Sequence, residues 1–356
     1  MTNDSLLERT LSTNLSWNKA RIKFLAAFLI ALTQTRNINL MRIATHFSGR
    51  AAPASSYKRI QHFLRSFDFS FTELAQLLIR VMKLTPPFVI VIDRTEWKFG
   101  STWHNILTLS LAGEDVAVPI LWRFLKRKGC SDDAEREMIL GDFLKLFAAS
   151  DIKYVCADRE FGSVRWLEFL TREKISYRLR IKANHELTDK RGKPIKARKL
   201  LQTARDGEAV ICRRWRKLWG IYRVCVTGRK RSDGELLILI RNEPSPEMIA
   251  EYWRRWQIET LFGCLKSRGF DLEETHLRDS ERLEKLLGLL ALAICWSWLA
   301  GEKLCQRKPI AVKKHGCRAK SVFRVGLDYL EQVFRSVSPF TKTQARTAFI
   351  LILSCT

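Results

Sequence analysis

The residues best suited to chemistry lie in one short stretch, EYWRRWQIETLFGCLKSR, at positions 251–268. Arg255 and Glu259 are four residues apart, and Tyr252 and Lys266 each lie seven residues from Glu259. Because an α-helix makes one turn in about 3.6 residues, these offsets place all four side chains on one face of a predicted helix. Such a face can be a solvated surface with a single Arg–Glu ion pair. Alternatively, the Glu259 carboxylate can hold a metal, while Tyr252, Arg255 and Lys266 hold phosphate.

Two further acids extend this candidate site. Asp93 ends the apolar run FVIVID, Asp158 ends the run KYVCAD, and both runs predict buried strands. In a sheet with the first of these strands central and the second beside it, both carboxylates reach the same edge, where a packed helix can bring Glu259 within a few ångströms. Three converging carboxylates repel one another unless cations balance them. Mg²⁺ prefers oxygen ligands, and two such ions can activate water and stabilise the leaving oxygen of a phosphodiester.

These motifs together resemble the DDE transposases of bacterial insertion sequences. Asp93 stands in VIDRTEW and Asp158 in CADREFGS. The resemblance runs from about residue 88 to residue 268 and includes a β-strand insert between the second Asp and the Glu. The Y-x2-R-x3-E-x6-K signature of the insertion-sequence-four family of cut-and-paste transposases is matched by Tyr252, Arg255, Glu259 and Lys266.

The resemblance implies a role for each matching residue. Asp93, Asp158 and Glu259 would coordinate the catalytic Mg²⁺, for which Mn²⁺ can substitute, with two ions in each active site. Arg159, which follows the second Asp, would line the site, and a structural ion pair is an equal alternative. The residues that would hold DNA phosphates near the cleaved end are Tyr252, Arg255 and Lys266.

The resemblance also implies a fold, a reaction and partners. The fold would be ribonuclease H-like, and the protein would bind the terminal inverted repeats of its own element, cut them and join them to target DNA. Cutting two ends in concert needs two active sites, which predicts a homodimer on double-stranded DNA. The location would be the bacterial cytoplasm, in association with the nucleoid. Two alternatives stay open: a metal-dependent nuclease or resolvase without strand transfer, and a DNA-binding derivative that no longer catalyses.

Composition supports a polyanionic partner. The chain has 356 residues, with 62 Lys+Arg against 37 Asp+Glu and a formal net charge of +25. Such an excess of positive charge favours nucleic acid as the ligand. Nine cysteines without a C-x-x-C pair indicate a reduced, intracellular protein rather than a disulfide framework or a zinc site. The longest apolar run, at 286–301, is shorter than the roughly 20 residues that span a bilayer, so we expect a buried helix and no membrane partner.

The elements that must position the acids predict a mixed α/β sheet. Residues 86–184 give three strands, a helix, a strand, a helix and a further strand, forming the first part of the catalytic core. Residues 185–235 form a basic, β-rich insert. Residues 236–305 return to the sheet and complete the core with the helix that carries Glu259.

The insert concentrates positive charge. Residues 182–235 contain sixteen Lys/Arg and six Asp/Glu. Trp215 and Trp219 lie among these bases, where each can stack on a nucleobase or pack within the insert.

Helices are predicted at both ends of the chain. Residues 1–85 form a helical DNA-binding domain, in which two short helical patterns at 38–67 have the cadence of a helix–turn–helix, with a plain helical bundle as an equal alternative. Residues 306–356 form a C-terminal helical region with closing helices at about 321–336 and 342–354. These two helices and the apolar helix before them are candidates for joining subunits.

Overall fold

The structure is a computed structural model that describes residues 3–47, 51–68, 70–202, 204–244, 247–314 and 316–335. The strands are β1 (Phe88–Phe99), β2 (Thr102–Ala112), β3 (Ala117–Phe124), β4 (Ile152–Ala157), β5 (Tyr177–Arg180), β6 (Glu186–Thr188), β7 (Pro194–Lys196), β8 (Ala209–Leu218), β9 (Tyr222–Lys230) and β10 (Leu236–Arg241). The helices are α1 (Asn3–Asn14), α2 (Lys19–Thr35), α3 (Leu40–Thr45), α4 (Pro53–Ser66), α5 (Phe71–Val81), α6 (Asp133–Leu144), α7 (Val164–Arg172), α8 (Met248–Trp253), α9 (Trp256–Leu265), α10 (Ser280–Arg307) and α11 (Val322–Arg335).

The chain divides into two compact units. The helical unit comprises Met1–Leu84, Glu96–His104 and Thr260–Thr356, and the sheet unit comprises Thr85–Thr95 and Asn105–Glu259. The sheet unit therefore includes the first part of the predicted core except Glu96–His104, the whole insert and the start of the Glu259 helix. The finer division into five functional segments stays a prediction.

One ten-stranded sheet organises the sheet unit, in the order β3-β2-β1-β4-β5-β10-β9-β8-β6-β7. Strand β1 pairs in parallel with β4, and β4 pairs in parallel with β5. The predicted neighbourhood of the two acid-bearing strands is thus confirmed, as is the mixed α/β fold class.

The acid-bearing strands form for the expected reason, with one difference in length. Ile90, Val91 and Ile92 of β1 are fully buried, as the continuous apolar run predicts for a strand covered on both faces. The parallel pairing with β4 ends at Ile92–Ala157, but β1 continues to Phe99 beside β2. Asp93 therefore lies within its strand rather than at its end, because β2 supports the strand beyond the parallel pairing.

The insert strands β6 to β9 belong to the same sheet as the core strands. Strands β8 and β9 lie within the predicted β-rich insert and pair antiparallel. Strand β10 pairs antiparallel with β5 on one side and with β9 on the other. The return from the insert therefore lies inside the sheet, with insert strands on its outer side.

The helical unit is built around α10. One 18-residue window of this helix is long and apolar enough to cross a membrane, but 89% of the window is buried, which is the pattern of a core helix. Helices α2, α5 and α11 pack against it, which confirms the predicted buried helix. The predicted closing helix at 342–354 lies outside the described residues. Helices α3 and α4 lie within residues 38–67, where the sequence predicts a helix–turn–helix or a plain helical bundle, and residues 48–50 between them lie outside the described residues as well.

Candidate active site

The signature residues lie on two helices rather than one. Helix α8 ends at Trp253 and α9 begins at Trp256. The prediction of one continuous helix in this region is therefore wrong. The Arg255 amide donates to the Tyr252 carbonyl at 3.0 Å and the Ile258 amide donates to the Arg255 carbonyl at 3.1 Å. These bonds span three residues and form a tight turn of the 3-10 type between the helices.

Arg255 connects two of the predicted acids. Its Nη1 donates to Asp93 Oδ2 at 3.1 Å, and its Nη2 donates to Glu259 Oε1 at 2.6 Å. The Arg255 side chain is 8% exposed, whereas the Glu259 side chain is 48% exposed. A buried guanidinium thus bridges a half-buried carboxylate in the sheet and an open one on α9.

Asp93 has an unusual protonation equilibrium. Burial raises its pKa to about 7, and the negative charges of Glu160 and Asp158 act in the same direction. Arg255 and the Arg94 amide, which donates to Asp93 Oδ1 at 2.8 Å, oppose the rise. The raised pKa shows that the protein supplies less positive charge around Asp93 than its ionised form requires.

Asp158 follows β4 and is held by side chains from two other elements. The Tyr252 hydroxyl donates to Asp158 Oδ1 at 3.3 Å, and Arg180 Nη1 of β5 lies 3.6 Å from the same oxygen. Tyr252 is 6% exposed and packs against Leu237 and Met248. Burial raises the pKa of Tyr252, so the phenol stays a hydrogen-bond donor at neutral pH. In this structure Tyr252 fixes an acid, and its predicted contact with DNA phosphate stays a prediction.

The three acids occupy one region, but the direct convergence that the sequence predicts is not present. Within the described residues, no three His, Cys, Asp or Glu side chains are gathered closely enough to hold one metal ion. The Arg255 guanidinium lies between Asp93 and Glu259 and offsets part of the repulsion between them. Mutually repelling carboxylates need a cation between them, and here an arginine supplies it.

The donor chemistry nevertheless fits a divalent metal of the magnesium type. All three candidate ligands offer carboxylate oxygens, which hard cations prefer. Asp93 and Asp158 lie close enough for the charge of Asp158 to raise the pKa of Asp93. A cation bound to these two carboxylates would offset the cost of burying the charged form of Asp93 and the repulsion between Asp93 and Asp158.

A polar network supports the loop that carries Asp158. Glu160 accepts from Arg94 Nε at 3.0 Å and from Ser131 Oγ at 3.4 Å. Arg136, 4% exposed, donates to Ser131 Oγ at 2.9 Å, and its guanidinium lies 4.7 Å from the ring centre of Phe161. Sequence reasoning missed these positioning residues, because their contacts join segments far apart in the chain.

Two other residues predicted to contact DNA, Arg159 and Lys266, form ion pairs with acids outside the predicted triad. Arg159 is 57% exposed and pairs with Glu235 at 3.4 Å, consistent with the structural ion pair considered for it. Lys266, just after α9, pairs with Glu273 Oε1 at 2.8 Å and donates to the Glu96 carbonyl at 3.2 Å. Their roles toward DNA stay predictions.

The two insert tryptophans are packed within the insert. Arg223 lies 4.7 Å from the ring centre of Trp215. The Trp219 ring lies 5.2 Å from His185 and 6.3 Å from Tyr222. These contacts are those that packing within the insert would give, and the stacking of either tryptophan on a nucleobase stays a prediction.

Sequence reasoning also missed two tryptophans beside the signature. Trp253 and Trp256 stack with ring centres 3.8 Å apart at an interplanar angle of 27°. The available signal was the WRRW sequence at 253–256, in which two aromatic residues enclose the signature arginine.

Comparison with known proteins gives three results. No curated protein matches the chain. A cryo-EM structure of the piggyBac transposase synaptic complex with hairpin DNA superposes with a TM-score of 0.48 and 13% sequence identity, covering 98% of this chain and 84% of that one. Residues 132–296 match the family model described as the transposase DDE domain, a segment that contains Asp158 and Glu259. DDE transposases generally use divalent metal ions. The family match, over slightly less than half of the chain, supports a DDE transposase.

Proposed function

We propose that this protein is a cut-and-paste transposase of the insertion-sequence-four type. It binds the terminal inverted repeats of its element as a homodimer, cleaves them and joins them to target DNA. The observation that carries the proposal is the grouping of Asp93, Asp158 and Glu259 around Arg255 and Tyr252, within a chain that matches the transposase DDE domain.

The chain's own residues divide the work. Asp93, Asp158 and Glu259 would hold Mg²⁺ or Mn²⁺, two ions in each site. When bound, the ions supply the Lewis acidity for phosphodiester hydrolysis and transesterification. Tyr252 keeps Asp158 oriented through its hydroxyl, and Arg255 keeps Asp93 and Glu259 adjacent.

The proposed reaction has two steps, a hydrolysis that leaves a 5′-phosphate on the flanking strand and a transesterification that conserves the number of phosphodiester bonds. Water adds to a phosphorus at the end of the element, and the bond from that phosphorus to the 3′-oxygen breaks, so a 3′-hydroxyl is released. That hydroxyl then attacks a target phosphodiester, and one P–O bond forms as another breaks. The basic insert holds the DNA backbone through charge while this occurs.

A strand-transfer assay tests the proposal. Purified protein is incubated with Mg²⁺, a duplex ending in the inverted repeat that flanks the gene, and a supercoiled plasmid. We expect plasmid molecules covalently joined to the labelled repeat, and none with Asp158→Asn. Cleavage without joined product would instead favour a nuclease or resolvase, and binding without cleavage would favour a non-catalytic derivative.

A further inference from the structure

Arg178 of β5 ties helix α8 to the sheet. Its side chain is 3% exposed, and each nitrogen of its guanidinium donates a hydrogen bond. Nε donates to Glu251 Oε2 at 2.5 Å, Nη2 donates to Glu243 Oε1 at 2.8 Å, and Nη1 donates to the Tyr177 carbonyl at 2.9 Å. The guanidinium also lies 4.6 Å from the ring centre of Tyr154 on β4. These contacts fix the orientation of the arginine.

Helix α8 depends on contacts with the sheet for its position. It contains six residues, and isolated helices shorter than about 12 residues are marginal in water. Met248 and Tyr252 give α8 apolar contacts in a buried cluster with Leu237 and Leu239 of β10. Apolar burial is non-directional, so it leaves the exact placement of a short helix open. The bond from the arginine to Glu251 is directional and selects one placement.

The position of Glu251 sets the positions of the residues that contact the acids. The Cys156 thiol donates to the Glu251 carbonyl at 3.7 Å, so this residue is held through its backbone as well. Tyr252 comes next in the chain and donates to Asp158. Arg255 follows through the tight turn, in which its amide donates to the Tyr252 carbonyl. A shift of Glu251 would therefore move both the phenol and the guanidinium of the candidate site.

The buried charges around Arg178 form a matched set. Arg241 of β10 lies opposite Arg178 in the antiparallel pairing, so both side chains lie on one face of the sheet. Arg241 is 6% exposed, and its Nε and Nη1 have no hydrogen-bond partner among the described residues. The carboxylates of Glu243 and Glu251 equal these two cations in number. Buried ion pairs often add little to stability, because desolvation offsets attraction, but they can select one arrangement.

We propose that Arg178 is a positioning residue for the candidate active site. It fixes α8 through Glu251, and α8 in turn places Tyr252 and Arg255 against the acids. Its role in the reaction rests on the proposed function, whereas its role in placing α8 does not.

The informative variant removes both members of the ion pair. Arg178→Met alone would leave Glu251, 17% exposed, without its partner, which is strongly destabilising. Arg178→Met combined with Glu251→Leu removes one charge of each sign, so this double variant should fold and melt within a few degrees of wild type. Arg123→Met combined with Asp142→Leu is the matched control, because it removes an ion pair of the sheet unit that joins β3 to α6. Loss of the folded state in the first double variant would give the pair a structural role and overturn the proposal.

Amide hydrogen exchange of protein without metal or DNA tests the effect on α8. We expect peptides from residues 248–258 to exchange about tenfold faster in the Arg178–Glu251 double variant, because α8 loses its directional attachment. Peptides from β1 and β4 should stay within about twofold of wild type, and the control double variant should exchange like wild type at 248–258. Unchanged exchange at 248–258, or an equal rise in β1 and β4, would overturn the proposal.

Cleavage of a repeat end tests the consequence for the reaction. In the Arg178–Glu251 double variant kcat should fall about 10²-fold, as a small misplacement of catalytic groups predicts, while KM for DNA changes less than about threefold because the basic insert is intact. The control double variant should cleave normally. Normal cleavage by the Arg178–Glu251 double variant would overturn its role in the reaction.

The two proposals fail separately. Absence of cleavage and strand transfer in wild type would refute the proposed function and leave the exchange result standing. Transfer by wild type with unchanged exchange at 248–258 in the double variant would refute the role of Arg178 alone.

Discussion

One sheet contains both the core strands β1 and β4 and the insert strands β8 and β9. The core strands position acidic residues, whereas the insert is rich in basic residues. The core strands are parallel and apolar, and they present Asp93 and Asp158 to a guanidinium and a phenol at defined distances. The insert strands are antiparallel, and residues 182–235 carry sixteen Lys/Arg against six Asp/Glu. The function of a buried acid depends on its exact position relative to its partners, whereas the effect of exposed cations depends mainly on how many of them there are.

This difference predicts how each region responds to substitution. Removing one acid should abolish the reaction, because no neighbour can take its position. Removing one exposed insert cation should change little, because the charges that hold a DNA backbone contribute nearly independently.

The largest expected effect is the loss of cleavage on neutralising an acid. Asp93→Asn, Asp158→Asn or Glu259→Gln should reduce cleavage of a repeat end by about 10³ or more, since metal-ion catalysis supplies several kcal/mol. End binding, measured by gel shift, should stay within about twofold, because few phosphate contacts are lost. Glu137→Gln, at an exposed ion pair with Arg165, is the control and should cleave normally. Near-normal cleavage by any of the three variants would show that its acid had been wrongly assigned.

The next effect concerns stability and pH. Asp93 keeps its proton in the folded protein up to about pH 7, whereas the unfolded chain releases it near 3.8. The free energy of unfolding should therefore fall as pH rises through this interval, by up to about 4 kcal/mol from this group. In Asp93→Asn this contribution disappears, so the melting temperature should fall less with rising pH than in wild type.

Thermal melts of metal-free protein at about pH 5, 6 and 7.5 test this. Asp206→Asn, which changes a 59% exposed acid, should keep the wild-type pH profile. Parallel profiles for wild type and Asp93→Asn would mean that burial does not hold the proton on Asp93.

A smaller effect is expected at Lys266, which lies outside the sheet unit. Its ion pair with Glu273, 51% exposed, contributes about 1 kcal/mol or less to folding. Lys266→Ala should lower the melting temperature by only a few degrees, by about as much as Lys320→Ala, which breaks a comparable exposed ion pair with Asp328. Cleavage should fall about tenfold in Lys266→Ala only, as loss of one charge-assisted phosphate contact predicts. Equal cleavage by the two variants would mean that Lys266 does not contact a DNA phosphate near the cleaved bond.

The smallest effect is expected in the insert. Lys217→Ala, at an exposed position of β8, should weaken binding to a repeat end by about twofold and reduce the slope of log K against log salt by about 1. Lys145→Ala, at a 76% exposed position just after α6, should leave that slope unchanged. Complete loss of binding from Lys217→Ala would mean that DNA binding by the insert depends on the position of single residues and not only on their total charge.

The sequence predicted those features that depend on residues close together in the chain. The apolar runs of β1 and β4, the strand-rich insert and the apolar helix α10 all follow from local patterns in the sequence. The candidate acids could be selected because each follows an apolar run or interrupts a basic one. Local patterning could not show that α8 and α9 are separate helices, since both helices are consistent with the same spacing.

The sequence by itself determined which residue types are available to the site: three acids, the signature cations and phenol, and a strongly basic insert. Only the tertiary structure decided their partners. Arg255 and Asp93 lie 162 residues apart in the chain, and Tyr252 and Asp158 lie 94 apart. Periodicity reports on neighbours a few residues away, whereas contacts over these separations exist only because the sheet and the α8–α9 turn pack together. The raised pKa of Asp93 has the same origin, because burial is a property of the packed chain.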